Sequence, residues 1–342
     1  MRFGRVRREE AEGGILAHTL RAGDLVLKKG RRLSASDLKD LDQAGVESVT
    51  VALMEAGDID EDVAATRIAD LVRGENIKAD QPFTGRVNLF AERAGVLVVD
   101  REAVDSLNRV DEAITLATLP AFAAVAAGEM VATVKIIPYA VEESRVSAIA
   151  DRLAGGPALR VSPYAAKRVA VVSTILPGLK PSVIDKTLKI LGERVSACGG
   201  RIVSDARVPH DMAHLAPAIA KAAMSDSDIV IVFGASAVAD RKDVVPAAIT
   251  YIAGRIEHLG MPVDPGNLLL LAEVSGKPMI GAPGCARSPK LNGFDWVLQR
   301  LMADLPVCRS DIQALGVGGL LTEIPSRPQP RAGGASSDEE DM

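Results

Sequence analysis

Hydrophobic positions in the second half of the chain fall in short unbroken runs, separated by longer stretches of helical period. The clearest run is Asp228-Ile229-Val230-Ile231-Val232-Phe233. It has the length of a strand and no polar alternation, which predicts a strand covered on both faces, as in a parallel sheet. A loop of small residues follows, Gly234-Ala235-Ser236-Ala237-Val238-Ala239, and then the charged run Asp240-Arg241-Lys242-Asp243. Beyond it Pro246 falls in the first turn of a predicted helix reaching about His258, where a missing N–H costs no hydrogen bond. The same rhythm predicts strands at Arg168–Thr174, Arg201–Ser204, Leu268–Ala272 and Pro278–Gly281. Helices are expected at about Pro181–Ala197, Met212–Met224 and Leu291–Ala303. Such alternation predicts an α/β fold, a three-layer and mostly parallel sheet.

Before Gly156 the pattern is less regular. Short strand candidates lie at Gly14–His18, Leu25–Lys28, Val49–Ala52, Val96–Val99 and Met130–Ile137. Between them, Ser34 to Ala44, Asp60 to Arg73 and Glu142 to Ala154 read as helices, the first opening on residues that suit an N-cap and the second on acidic residues that suit its macrodipole. This gives a smaller mixed α/β region over 1–156, a linker at Gly155-Gly156-Pro157, and a second domain over 166–324. The tail, 325–342, is rich in proline, small residues and acids, and is expected to be disordered.

Composition narrows the functional classes. A chain of 342 residues exceeds one typical core, and 48% apolar with 25% charged residues is an ordinary globular balance. Aromatic residues make up 3% and the formal charge is −5, which disfavours base stacking and nucleic-acid partners. Cys198, Cys285 and Cys308 form no C-x-x-C pair, which argues against a structural zinc or a disulfide framework. No apolar run reaches ~18 residues and the N-terminus lacks the core of a signal peptide, so a cytoplasmic protein without membrane contact is expected.

In a parallel sheet the loops at Thr174, Asp211, Gly234–Asp243 and Pro283–Ser288 share one edge, where ligands bind in open α/β folds. Asp211 and Asp243 each start a helix. Both admit two readings: plain N-caps, or carboxylates that grip an amide edge or hold magnesium near a phosphate. Asp240 belongs to the loop or to a solvated charge cluster. His210 and His214 have helical spacing but no evident third ligand, which weakens a metal reading. Arg287, beside Cys285, reads best as an anion contact. Lys28-Lys29-Gly30-Arg31-Arg32 reads as a solvated turn.

Together these motifs resemble the molybdopterin-binding domain of molybdenum cofactor biosynthesis, shared by adenylyltransferases, molybdotransferases and gephyrin. Arg241-Lys242-Asp243-Val244-Val245-Pro246 is similar to the family's Arg-Arg-Asp-Val-Thr-Pro run, and Pro209-His210-Asp211 to its Pro-Asp-Asp stretch. Val169–Thr174 matches its first strand and Pro283-Gly284 its Pro-Gly loop. The likeness spans about Arg168 to Ala303. It implies a pterin ligand, molybdopterin or molybdenum cofactor, with Asp243 and Asp211 in the catalytic positions and Asp243 as a candidate magnesium ligand. Thr174, Gly234, Ala235, Ser236, Asp240, Pro283, Gly284, Arg287 and Ser288 would line the cofactor. Adenylyl transfer with ATP and Mg2+, molybdate transfer, and a homo-oligomer are also implied. Two departures stand out: the Gly-Gly-Thr-Gly loop is here Gly234-Ala235-Ser236-Ala237, and the family's first aspartate is His210. The Met-Asp-Gly-Tyr-Ala segment of molybdotransferases is absent. The alternative expectation is therefore a non-enzymatic carrier or scaffold serving a separate nucleotidyltransferase or a molybdoenzyme.

Overall fold

A computed structural model describes residues 1–322; the acidic tail expected at 325–342 lies outside the described residues. The chain divides into two compact units, Met1–Ser162 and the part from Pro163 onward.

In the first unit Arg2–Arg7, Ser48–Leu53 and Ile15–Leu16 form a three-stranded antiparallel sheet. The helix Ala35–Gln43 packs with it, and the Ser34 side chain closes a capping box with Asp37. Leu16, Leu33, Leu41 and Val51 make the small core between them. A larger core lies between the helix Glu61–Val72 and a four-stranded antiparallel sheet. That sheet is built from Ile114–Thr118, Met130–Ile136, Arg86–Ala91 and Ile77–Ala79, in this spatial order. Three of these strands are additional to those expected. Arg86–Ala91 buries alternate residues only, so it never forms the unbroken apolar run that marks a fully covered strand.

In the second unit the elements follow as β1 (Arg168–Ile175), α1 (Pro181–Ala197), β2 (Arg201–Pro209), α2 (Met212–Met224), β3 (Ile229–Phe233) and α3 (Val244–Tyr251). Then come β4 (Arg255–Leu259), β5 (Leu270–Val274), β6 (Lys277–Ala282) and α4 (Gly293–Met302). One six-stranded sheet runs β2-β1-β3-β6-β5-β4. Strands β2, β1, β3 and β6 are mutually parallel, while β5 is antiparallel to both its neighbours. Side chains alternate between the faces: Val169 and Val171 pack with α1 and α4, Ala170 and Val172 with α2 and α3. All five residues of β3 are buried, because this strand lies between covered faces at the centre of the sheet. The expected three-layer, mostly parallel α/β architecture is what this unit adopts.

Two expectations need correction. The helix expected to reach His258 stops at Tyr251, and Arg255–Leu259 is an edge strand. Ala253 has φ +57°, outside the helical region, and a Cβ on Gly254 would meet the Ile249 side chain at 2.7 Å. A glycine is therefore required at this tight reversal. Leu270–Val274 and Lys277–Ala282 are not separate parallel strands but a hairpin. Ser275 and Gly276 both have positive φ, +52° and +74°, the requirement of a two-residue hairpin turn.

Candidate functional site

At the C-terminal edge of the parallel strands four loops are joined by hydrogen bonds. Thr174, buried at the end of β1, is the hub. Its Oγ1 accepts the Ala235 N–H at 2.7 Å and lies 2.8 Å from Nδ1 of His210. The hydroxyl can also donate to the Phe233 carbonyl at 3.5 Å, and which of Thr174 and His210 donates to the other depends on the imidazole tautomer. Three strand ends thus share one oxygen.

Arg287 adds the fourth loop. It donates to the Gly234 carbonyl at 3.0 Å and to Thr187 Oγ1 at 3.1 Å, with its carbon 5.3 Å from the Phe233 ring centre. Burial alone pushes its pKa down, and among the described residues no carboxylate comes within ion-pair distance of it. Gly234 fits because of close approach: a Cβ there would stand 2.8 Å from the Ser236 carbonyl oxygen. Pro283 is buried, Gly284 exposed, and Ser288 half-buried in the turn that carries Arg287.

Arg194 of α1 holds that turn from behind. It pairs with Asp295 at 2.5 Å and donates to the Ala286 and Ser288 carbonyls at 2.9 and 2.6 Å. Asn292 caps α4 in a box with Asp295. Neither Arg194 nor Thr187 is among the expected site residues, since helix-borne supports lack a local sequence signature. The Asn292-x-x-Asp295 box did offer one.

The two aspartates are engaged with the backbone. Asp211 caps α2, accepting the His214 N–H at 3.0 Å, and both its oxygens lie 2.8 Å from His214 Nδ1. The His214 hydrogen bond is the main cause that lowers the Asp211 pKa. Asp243 caps α3, accepting the Ala239 N–H at 2.9 Å on one oxygen and that of Val244 at 3.3 Å on the other. Asp240 bonds the Lys242 N–H at 2.8 Å and stays exposed with Ser236. His210 and His214 turn to different partners, Thr174 and Asp211. Among the described residues no three His, Cys, Asp or Glu side chains converge as a metal-binding group. Asp211 and Asp243 are committed to backbone N–H groups at their helix starts, and no third carboxylate joins either of them as a metal-binding group among the described residues.

Comparison with known proteins bears on residues already in view. Residues 169–303 match the family model described as a probable molybdopterin binding domain, a span covering all four loops. Over these residues the second unit is similar to the molybdopterin-binding domain family. Residues 5–53 match a domain of unknown function, DUF8806. Solved structures that the chain resembles include a molybdenum cofactor biosynthesis protein from Pyrococcus furiosus, at 13% identity and a TM-score of 0.26. The match covers 89% of this chain and 64% of that one, so the chain spans under two thirds of that protein. Another is the molybdopterin biosynthesis MoeA protein from Pyrococcus horikosii, at 17% identity and a TM-score of 0.31, covering 72% and 79% of the two chains. No curated protein matches the chain. Among the described residues no helix is long and apolar enough to cross a membrane.

Proposed function

We propose that the second unit binds molybdopterin at the C-terminal edge of its sheet and serves molybdenum cofactor biosynthesis by holding the pterin. The observation that carries this reading is the joining of four loops through Thr174, His210, Ala235, Gly234 and Arg287 inside the matched domain. Open α/β sheets take ligands at this edge, where strand ends and helix N-termini present backbone donors. Ser236 and the Pro283–Ser288 turn supply polar groups for the phosphate, and Asp240 the outer rim. Asp211 and Asp243 act through the helix starts that they fix.

Carriage is favoured over adenylyl or molybdate transfer by two features. Gly234 is the only glycine in its loop, and the Cβ atoms of Ala235 and Ala237 limit how closely the backbone meets a nucleotide phosphate. The carboxylates a transferase would use on magnesium are N-caps here. A carrier of this kind works in the cytoplasm beside a separate transferase or a molybdoenzyme.

Titration of molybdopterin into the full-length protein tests the reading. Wild type should bind with a Kd of about 1 μM or tighter. Gly234→Val, checked for folding by its thermal midpoint, should lose binding. A folded wild type that binds nothing overturns the pterin reading. ATP consumed when molybdopterin is added would overturn carriage and leave binding intact.

A further inference from the structure

The face of the sheet under α1 holds a second group of polar atoms at the same edge. Ser173 is 2% exposed, and its hydroxyl has no hydrogen-bond partner. It lies across from Phe233 in the β1–β3 register, and by alternation it shares the face of Val169 and Val171. Phe233 is on that face too, beneath the Arg287 guanidinium. An unpartnered buried hydroxyl and an arginine met only by neutral acceptors therefore stand at neighbouring positions. A permanently charged, partly desolvated guanidinium with no carboxylate leaves a positive charge to be matched.

We propose that this pair is the counter-charge of the site. Arg287, assisted by Ser173, binds the ligand's phosphate monoester directly, so that binding needs no divalent cation. The proposal rests on the molybdopterin reading and sharpens it: the anion is met by a fixed guanidinium in place of a metal ion. Arg287 suits the task because its planar fork can give a phosphate two parallel hydrogen bonds, at the cost of its contact with Gly234 or Thr187. Ser173 offers one donor in a setting where an unmet hydroxyl is unfavourable.

The test is titration of molybdopterin into the full-length protein in EDTA and in Mg2+, for wild type, Arg287→Gln, Arg287→Lys and Ser173→Ala. Wild-type affinity should agree within about twofold between the two buffers. Arg287→Gln should weaken binding about tenfold or more in both, as expected when a charged hydrogen bond is lost, with partial recovery in Arg287→Lys. Ser173→Ala should weaken binding about threefold to tenfold without lowering the thermal midpoint, because it removes an unsatisfied buried group. A tenfold dependence on Mg2+, or an Arg287→Gln variant that binds as wild type does, overturns the proposal while leaving pterin binding standing. Should molybdopterin not bind at all, phosphorus NMR of inorganic phosphate in EDTA decides. Line broadening lost in Arg287→Gln supports the anion site; absence of broadening in wild type overturns it.

Discussion

The two edges of the sheet in the second unit differ in that one arginine at the C-terminal edge, Arg287, has no carboxylate partner among the described residues. At the N-terminal edge Lys167 meets Asp304, Arg168 meets Asp226 and Asp228, and Arg255 meets Glu257 and Glu273. A cavity of about 430 Å³ opens there, lined by Lys167, Arg255, Glu257, Leu271, Leu301 and Val307, and its charges pair among themselves. At the C-terminal edge Arg287 has a threonine, a carbonyl and an aromatic ring. Paired charges close a surface, whereas an unpaired and partly buried one awaits a partner. The cavity at the N-terminal edge is lined by charges that already have partners, and the proposed site lies at the edge where Arg287 meets only neutral groups.

Substitutions at both edges can break this contrast. The largest loss is expected behind the site, in Arg194→Ala. Arg194 and Asp295 are 11% and 8% exposed, and removing one member of so buried a pair costs about 3 kcal/mol. Urea unfolding should show that loss, with weakened pterin binding as the turn at Ala286 and Ser288 loosens. Thr174→Val comes next, at about 2 kcal/mol, since it leaves the Ala235 N–H without its acceptor. Amide exchange at Ala235 should accelerate, and an unchanged rate would show that the hub is dispensable.

The N-terminal edge should respond mildly and through pH. Hydrogen bonds from Arg168 hold the Asp228 pKa down to about 2. A carboxylate depressed on folding stabilises the protein above its unfolded value, near 4, and that contribution disappears as the pH falls through about 2. Asp228→Asn should cost about 1 kcal/mol at neutral pH, allowing for solvent screening, and should flatten the acid limb of the stability profile. A variant with the wild-type acid limb would contradict the assignment. Arg255→Gln, at an exposed and solvent-screened pair, should leave the urea midpoint and ligand binding unchanged.

Much of this was legible in the chain itself. The run Ile229–Phe233, its small-residue loop and the helix from Val244 form as their pattern implies, because a strand covered on both faces has to be apolar throughout. Thr174, at the end of β1, and Arg287, in the loop after β6, are also within reach of pattern, whereas β2 runs five residues past its expected end at Ser204 and so brings His210 to Thr174. What the pattern concealed lies in elements half-open to solvent or fixed by long-range contacts. Strand β4 carries Arg255, Glu257 and His258 and buries none of its residues fully, so it offers no apolar run. The β5–β6 hairpin depends on Ser275-Gly276, a turn signal easily passed over between two apolar runs that suggest parallel strands. Arg194 reaches a turn about ninety residues away, and Ser173 gains meaning only from the missing partner of its hydroxyl.

Hydrogen exchange of the full-length protein, with and without molybdopterin, tests the contrast between the edges most directly. Segments over residues 173–178, 234–243 and 283–290 should gain protection on binding, while 255–259 and 303–308 should exchange unchanged. Protection confined to the N-terminal edge, around Arg255 and Cys308, would contradict the account and move the ligand to the cavity where the charges are already paired.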